Sequence, residues 1–184
     1  MSSEIAVVLG STSNIGKAIA ERLSADGYHV VVTSRHGEEA EAVAADLPNE
    51  ASGFGLDARE PEEIDDLYAF VDGLPGEMSA QVNNAAYADN KSVLACDREE
   101  WDRTQETNLR SFHLCTQAAA ERMKETGGGA VVNVTVSETG GVSEKISYMT
   151  SKAGIKGYTT SAALDLAPHG IRVNAVGSGL VGSP

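Results

Sequence analysis

The stretch IAVVLGSTSNIGKAIAERL, residues 5–23, decides the fold. Its first five residues are aliphatic and largely β-branched, the composition of a buried strand. Gly10 then permits a tight turn, and Ile15, Ala18, Ile19 and Leu23 recur at helical spacing. A strand feeding a helix through a glycine turn opens a βαβ unit, and the chain repeats this alternation to its end.

Further strands are expected at residues 29–33, 52–56, 78–82, 130–136 and 171–176. Helical patterns run through Ile64, Leu67, Tyr68 and Val71, through residues 98–124, and through residues 147–167. Strand and helix alternating in this way predict an α/β fold, a Rossmann-like doubly wound parallel sheet in three layers with six strands. At 184 residues, with no linker or internal repeat, residues 1–184 form one expected domain.

The formal charge of −13, from 27 acidic and 14 basic residues, repels nucleic acid and anionic lipid. An acidic surface with only six lysines would suit a cytosol of high salt. No apolar run approaches the roughly 18 residues of a membrane span, and the N-terminus resembles no signal peptide. Cys96 and Cys115 show no disulfide or metal-ligand pattern, and the four histidines are scattered, so no metal is expected. These features predict a cytoplasmic protein acting on a small molecule.

The turn after the first strand has the form of a phosphate cradle. Gly10 lets the backbone turn, Gly16 lets a pyrophosphate approach the helix start beside Ile15, and the hydroxyl of Ser11 is a candidate donor, with Thr12 and Ser13. Asn14 occupies the middle position of a usual glycine trio; asparagine tolerates positive φ better than other non-glycine residues. The second strand ends Thr33-Ser34-Arg35, where a fold preferring NAD usually carries an acidic residue. A small hydroxyl followed by arginine leaves room and charge for a 2'-phosphate, and Lys17 offers a second cation. NADP(H) is therefore expected over NAD(H).

Tyr148 and Lys152 lie four apart on a helical pattern, one turn apart on one face. A tyrosine, ordinarily titrating near 10, becomes a useful acid when a neighbouring ammonium stabilises the phenolate. Upstream, VVNVTVS (residues 131–137) places Asn133, Thr135 and Ser137 on one side of a strand. Ser137 and Thr135 are the two candidates for a catalytic hydroxyl there. Ser137 is favoured because the turn pattern brings it to the cleft, and Thr139 is read as a turn residue.

The glycine-rich turn, VNNAAY (residues 82–87), TNLRSF (residues 107–112), a strand ending in serine and the Tyr-x-x-x-Lys pair, in this order, resemble the short-chain dehydrogenase/reductase family. The resemblance is to enzymes like the 3-oxoacyl-carrier-protein reductases. It implies that Tyr148 protonates the substrate oxygen, that Lys152 lowers the tyrosine's pKa and holds the nicotinamide ribose, and that Asn108 kinks its helix and holds a water of the proton relay. Asn84, Ala85 and Ala86 would pack against the cofactor, Asp57 would accept from the adenine amino group, and Gly179 would approach the nicotinamide end. Asn14 and Ala86 replace family glycines, Ser178-Gly179 replaces Pro-Gly, and Ser183 stands near the family's carboxamide-contacting threonine. Relatives usually continue into a substrate lid and a seventh strand, which a chain ending at residue 184 would lack.

The resemblance implies an NADP(H)-dependent oxidoreductase reducing a ketone, of 3-oxoacyl type or another small carbonyl compound. The alternatives are a sugar or polyol dehydrogenase of the same family, and a non-catalytic dinucleotide-binding protein or inactive fragment. It also implies a homodimer or homotetramer built on the long helix bearing Trp101 and Phe112 and on the Tyr148 helix.

Overall fold

The computed structural model describes residues 4–137 and 141–179. Thr139 and Ser183 lie outside the described residues. Six strands, β1 (Glu4–Leu9), β2 (His29–Ser34), β3 (Ala51–Gly55), β4 (Glu77–Asn83), β5 (Gly129–Val136) and β6 (Ile171–Ser178), form one parallel sheet in the order β3-β2-β1-β4-β5-β6. The chain winds outward from β1 in one direction and then from β4 in the other. The strand order reverses between β1 and β4, and there the carboxyl ends of the strands leave a crevice.

Six α-helices connect the strands: α1 (Asn14–Ala25), α2 (Gly37–Ala45), α3 (Pro61–Asp72), α4 (Arg98–Gln105), α5 (Ser111–Met123) and α6 (Ile146–Leu166). One apolar core joins Ile5, Val7 and Leu9 of the sheet to Ile64, Leu67 and Tyr68 of α3, Phe112 and Met123 of α5, and Ile155 of α6. A second core on the opposite face joins Val8, Val30 and Val32 to Ala20 of α1 and Ala40 and Ala44 of α2. The sheet is thus sandwiched between helical layers. Among the described residues no helix is long and apolar enough to cross a membrane.

Two elements depart from the expectation. The helix α2 was not expected, because its inward positions are alanines, which favour helix strongly but give little hydrophobic contrast. It lies so close to β3 that a Cβ on Gly53 would strike the backbone of Ala40 and Glu41, which explains the glycines that make β3 a weak strand signal. In α1 the fully buried stripe is Gly16, Ala20 and Ser24, flanked by half-buried Ile15, Ile19 and Leu23, while Ala18 is exposed. Small residues four apart let α1 approach the sheet closely, so the apolar stripe read from sequence is displaced to the side.

The pattern over residues 98–124 forms α4, a π-helical turn (Glu106–Arg110) and α5 in succession. The cap of α4 is Asp97, whose carboxylate accepts from the Glu100 N–H at 2.9 Å.

Candidate active site

The crevice begins at the turn from β1 to α1. Gly10 has φ 72° and its missing side chain leaves room for Ala85, whose Cα would stand 2.8 Å from a Cβ there. Asn14 adopts φ 46°, the left-handed conformation that asparagine accepts. A Cβ on Gly16 would meet the Gly10 carbonyl and the Asn84 amide, so this crevice-lining glycine also seats the helix on the strand ends. Asn84 locks this junction by donating from Nδ2 to the Gly10 carbonyl at 2.7 Å. The α1 N-cap, Ser13, makes no side-chain cap bond, which leaves N–H groups of the first turn facing the crevice.

Ser11 is not a ligand donor in this arrangement. It is fully buried, donates to the Val8 carbonyl at 2.8 Å and accepts from the Thr33 N–H at 2.9 Å, clamping β1 to β2. Thr12 and Ser13 line the crevice instead. Lys17 is also displaced from its expected place: it stands 4.0 Å from Glu21 on the outer side of α1.

The crevice has a volume of about 420 Å³ and runs from Gly10–Gly16 past Ser34 and Arg35 to Asp57 and the Asn84–Tyr87 segment. Arg35 is exposed, and its charge reaches the Asp57 carboxylate. Asp57 is held by Arg59 through a forked ion pair, with Nε donating to Oδ1 at 3.0 Å and Nη2 to Oδ2 at 2.6 Å. These bonds hold the Asp57 carboxyl below its usual range, with Arg35 adding a smaller pull. Sequence reasoning missed Arg59, two residues beyond Asp57, and Glu39, whose carboxylate lines the crevice and accepts from the Ser34 hydroxyl at 3.3 Å.

At the other end, β5 and α6 bring the remaining candidates together. Lys152 is buried, and its Nζ donates to the Val134 carbonyl at 3.0 Å. Tyr148 is half-buried one turn earlier, with its ring centroid 5.7 Å from that Nζ. Burial lowers the Lys152 ammonium from 10.5 to about 8 and raises the Tyr148 phenol above its ordinary range. The tyrosine shift is thus opposite in sign to the expected one. The lysine, turned toward a backbone carbonyl, does not outweigh desolvation of the phenol.

Thr135 and Ser137 separate cleanly. The Thr135 hydroxyl is buried and donates to the Lys152 carbonyl at 2.9 Å. Ser137 is exposed just past the end of β5, and its N–H donates to the Ser178 carbonyl at 3.0 Å, next to Gly179. Asn108 lies fully buried in the π-helical turn, with its side-chain amide bonded within the protein. Its Oδ1 accepts from the Tyr87 N–H at 2.7 Å, and its Nδ2 donates to the Tyr87 carbonyl at 2.8 Å and the Ser151 hydroxyl at 3.0 Å. Asn108 thereby ties the segment after β4 to α6, and a widened helical turn at such a site is a common functional device.

The sequence model described as short chain dehydrogenase matches residues 4–184. The chain belongs to the short-chain dehydrogenase family. It is 35% identical to the 3-oxoacyl-carrier-protein reductase FabG of Aquifex aeolicus, across 98% of this chain and 75% of that protein. It is likewise 35% identical to human dehydrogenase/reductase SDR family member 4, across 98% of this chain and 67% of the relative. A crystal structure of a metagenomic short-chain oxidoreductase in complex with NADP superposes with a TM-score of 0.92 at 31% identity, covering 98% of this chain and 84% of that one.

Membership makes the protein an NAD(P)-dependent oxidoreductase. A dinucleotide fits the residues present. The positive-φ turn at Gly10 and Asn14, the uncapped start of α1 and the cationic end of β2 line one crevice, and Ala85 and Ala86 present small side chains along its wall.

Proposed function

We propose that this short-chain dehydrogenase reduces a ketone to an alcohol with NADPH, on a substrate of 3-oxoacyl type or a similar small carbonyl compound. The observation that carries this reading is the meeting of Tyr148 and Lys152, one turn apart on α6, with the carboxyl end of β5. The nucleotide would lie along the crevice from Gly10, Asn14, Ile15 and Gly16 to Asn84, Ala85 and Ala86, with Ser34 and Arg35 at the 2'-phosphate and Asp57 near the adenine. Gly179, next to the Ser178 carbonyl that accepts from the Ser137 N–H, would lie toward the nicotinamide. When bound, the reduced nicotinamide supplies a hydride to the carbonyl carbon.

The side chains do the rest. Ser137 donates a hydrogen bond to the carbonyl oxygen and orients it. Tyr148 transfers its phenolic proton to that oxygen as negative charge builds there, and the Lys152 ammonium holds the resulting phenolate. Because burial raises the phenol pKa, the free site keeps Tyr148 protonated and ready as a donor. Asn108 keeps α6 and the segment at Tyr87 in register.

Arg35 supports NADPH over NADH, as does the NADP bound by the metagenomic relative. The similarity to the 3-oxoacyl-carrier-protein reductase FabG supports the 3-oxoacyl class. We assign the subunit contact to the α5–α6 face, where Tyr158 and His113 stack edge to face and Leu164 is 74% exposed. The enzyme would work in the cytoplasm, where Cys96 and Cys115 stay reduced.

The test follows NADPH absorbance with a panel of 3-oxoacyl thioesters, small ketones and keto sugars, for wild type and Tyr148→Phe. Turnover that the substitution abolishes is expected. Turnover that survives it removes Tyr148 from the mechanism, and binding of NADPH without turnover on any substrate removes the reductase reading.

A further inference from the structure

The start of α6 carries a charge outside the Tyr-x-x-x-Lys pair. Lys145 is the residue before the helix, with φ −140° and ψ 40°, and Glu144 before it adopts φ 58°. A glutamate in the left-handed region is held there against its preference, a kind of strain that gathers at functional sites. Two bonds fix the turn to the segment between β4 and α4. Lys145 Nζ donates to Asn90 Oδ1 at 2.8 Å, and the Ile146 N–H donates to the Lys91 carbonyl at 3.3 Å.

From this anchored position Lys145 Nζ stands 5.8 Å from the centroid of the Tyr148 ring, and Lys152 Nζ stands 5.7 Å from the same centroid. The Tyr148 ring therefore has two lysine nitrogens at nearly equal range. They differ in setting: Lys152 is buried and bonded to a backbone carbonyl, whereas Lys145 is half-buried and bonded to a side-chain amide on a neighbouring segment.

We propose that Lys145 is a second electrostatic positioning residue for Tyr148, stabilising its phenolate and linking that stabilisation to the seating of the segment between β4 and α4 through Asn90. An opposite charge about 4–6 Å away is close enough to favour an ionised group, and desolvation of the phenol makes such help necessary. The other charged groups around this turn include Glu144 beside Lys145, Lys91 and Asp89 on the facing segment, and Glu100 and Arg103 of α4. Glu100 accepts from the Tyr87 hydroxyl, and Arg103 lies 4.2 Å from the Tyr87 ring centroid. Asp89 is buried without a hydrogen-bond partner among the described residues and faces Tyr87 and Cys96. From β5, among the described residues, come the Val134 carbonyl and the Thr135 hydroxyl.

The titration is a property of the free chain, and only its catalytic consequence rests on the proton-donor role of Tyr148. The experiment is an ultraviolet titration of phenolate in wild type, Lys145→Gln, Lys145→Arg and Asn90→Ala. Each protein is read against its own Tyr148→Phe partner, so that the other four of the five tyrosines cancel. Lys145→Gln is expected to raise the Tyr148 midpoint by about one pH unit, and Asn90→Ala by less in the same direction. Lys145→Arg should leave it within a few tenths of the wild-type value. An unchanged midpoint in Lys145→Gln overturns the proposal, as does an arginine variant that shifts as far as the glutamine one. A shift in the expected direction without turnover in any variant supports the electrostatic role while refuting the reductase reading.

Discussion

Replacing Lys152 by methionine tests the electrostatics of the site without requiring a substrate. The Lys152 ammonium is 3% exposed, its hydrogen bond goes to the Val134 carbonyl, and its near neighbours are the rings of Phe112 and Tyr148 at 5.5 and 5.7 Å. Burial takes it from 10.5 in the unfolded chain to about 8 in the folded one. Between those values the unfolded chain holds a proton that the folded chain has released, so folding stability rises with pH through this window. Below 8 the folded protein bears the whole penalty. At about 1.4 kcal/mol for each pH unit, the span from 10.5 to about 8 amounts to roughly 3 kcal/mol. Most of it should be recovered between pH 7 and pH 10.

Methionine keeps the length and apolar stem but cannot titrate. At pH 7 it removes the charge penalty and also a charge-assisted hydrogen bond of about 1.5–3 kcal/mol, so the two proteins should be of similar stability there. By pH 10 wild type should have gained roughly 2–3 kcal/mol relative to the variant. Urea unfolding followed by Trp101 fluorescence at intervals from pH 7 to 10 measures this. Tyr68, Tyr158 and Cys115, all raised by burial, destabilise both proteins alike in alkali and cancel in the difference. Tyr148 touches the same site, so both proteins should carry Tyr148→Phe. A difference that stays flat or falls as pH rises would show that Lys152 is not held against its charge, and the argument would fail.

Four further outcomes are expected. Ser137→Ala should lower kcat on the ketone panel by about 10²-fold with the fold intact, since the side chain is exposed. Thr135→Val should instead lower stability by about 1–3 kcal/mol through loss of the bond to the Lys152 carbonyl, and kinetics with urea melts of both variants would expose a reversal of these roles. Gly16→Ala should unfold more easily than wild type and bind NADPH at least tenfold more weakly, because its methyl would collide with the Gly10 carbonyl and Asn84; near-wild-type binding by fluorescence titration would contradict this. Arg35→Ala should weaken NADPH about tenfold or more while leaving NADH nearly unchanged, and equal losses for both would refute the 2'-phosphate assignment.

The strands were legible because parallel strands buried on both faces read as continuous aliphatic runs, and the six expected ranges fall on the six observed strands. What the sequence hid was the scale of close packing. An alanine-rich α2 against Gly53, and the Gly16-Ala20-Ser24 stripe of α1, bury surface without a contrast in hydrophobicity. At the crevice, residue type located the chemistry but did not divide the work. The hydroxyl of Ser11 looked like a phosphate donor until its burial between β1 and β2 showed both bonding directions in use. Asp57 was found without Arg59, because an ion pair spaced by two residues has no periodic signal. The phenol shift at Tyr148 depends on the balance of desolvation and charge, which spacing alone does not supply.

The choice between two hydroxyls on β5 follows from how α6 is seated. Asn133, Thr135 and Ser137 alternate to one side of the strand, and the first two are tied to the helix. Asn133 Nδ2 donates to the Thr159 hydroxyl at 3.0 Å, and Thr135 Oγ1 donates to the Lys152 carbonyl at 2.9 Å. Moving up the strand from residue 133 to 135 therefore moves back along the helix from 159 to 152, as expected of a crossover helix running antiparallel to its strand. Asn133 is itself held from below, since Asn83 Nδ2 donates to its Oδ1 at 2.8 Å. Asn83 in turn accepts from Gln81, which accepts from the Tyr68 hydroxyl at 2.7 Å. This fully buried chain runs from α3 through β4 and β5 to α6, and its bonded members leave little freedom to slide. The next step of the ladder pairs the end of the strand with the first turn of the helix, where Tyr148 lies. Thr135 is occupied in setting the register, which supports the proposal that Ser137 is the hydroxyl that meets a substrate at that level.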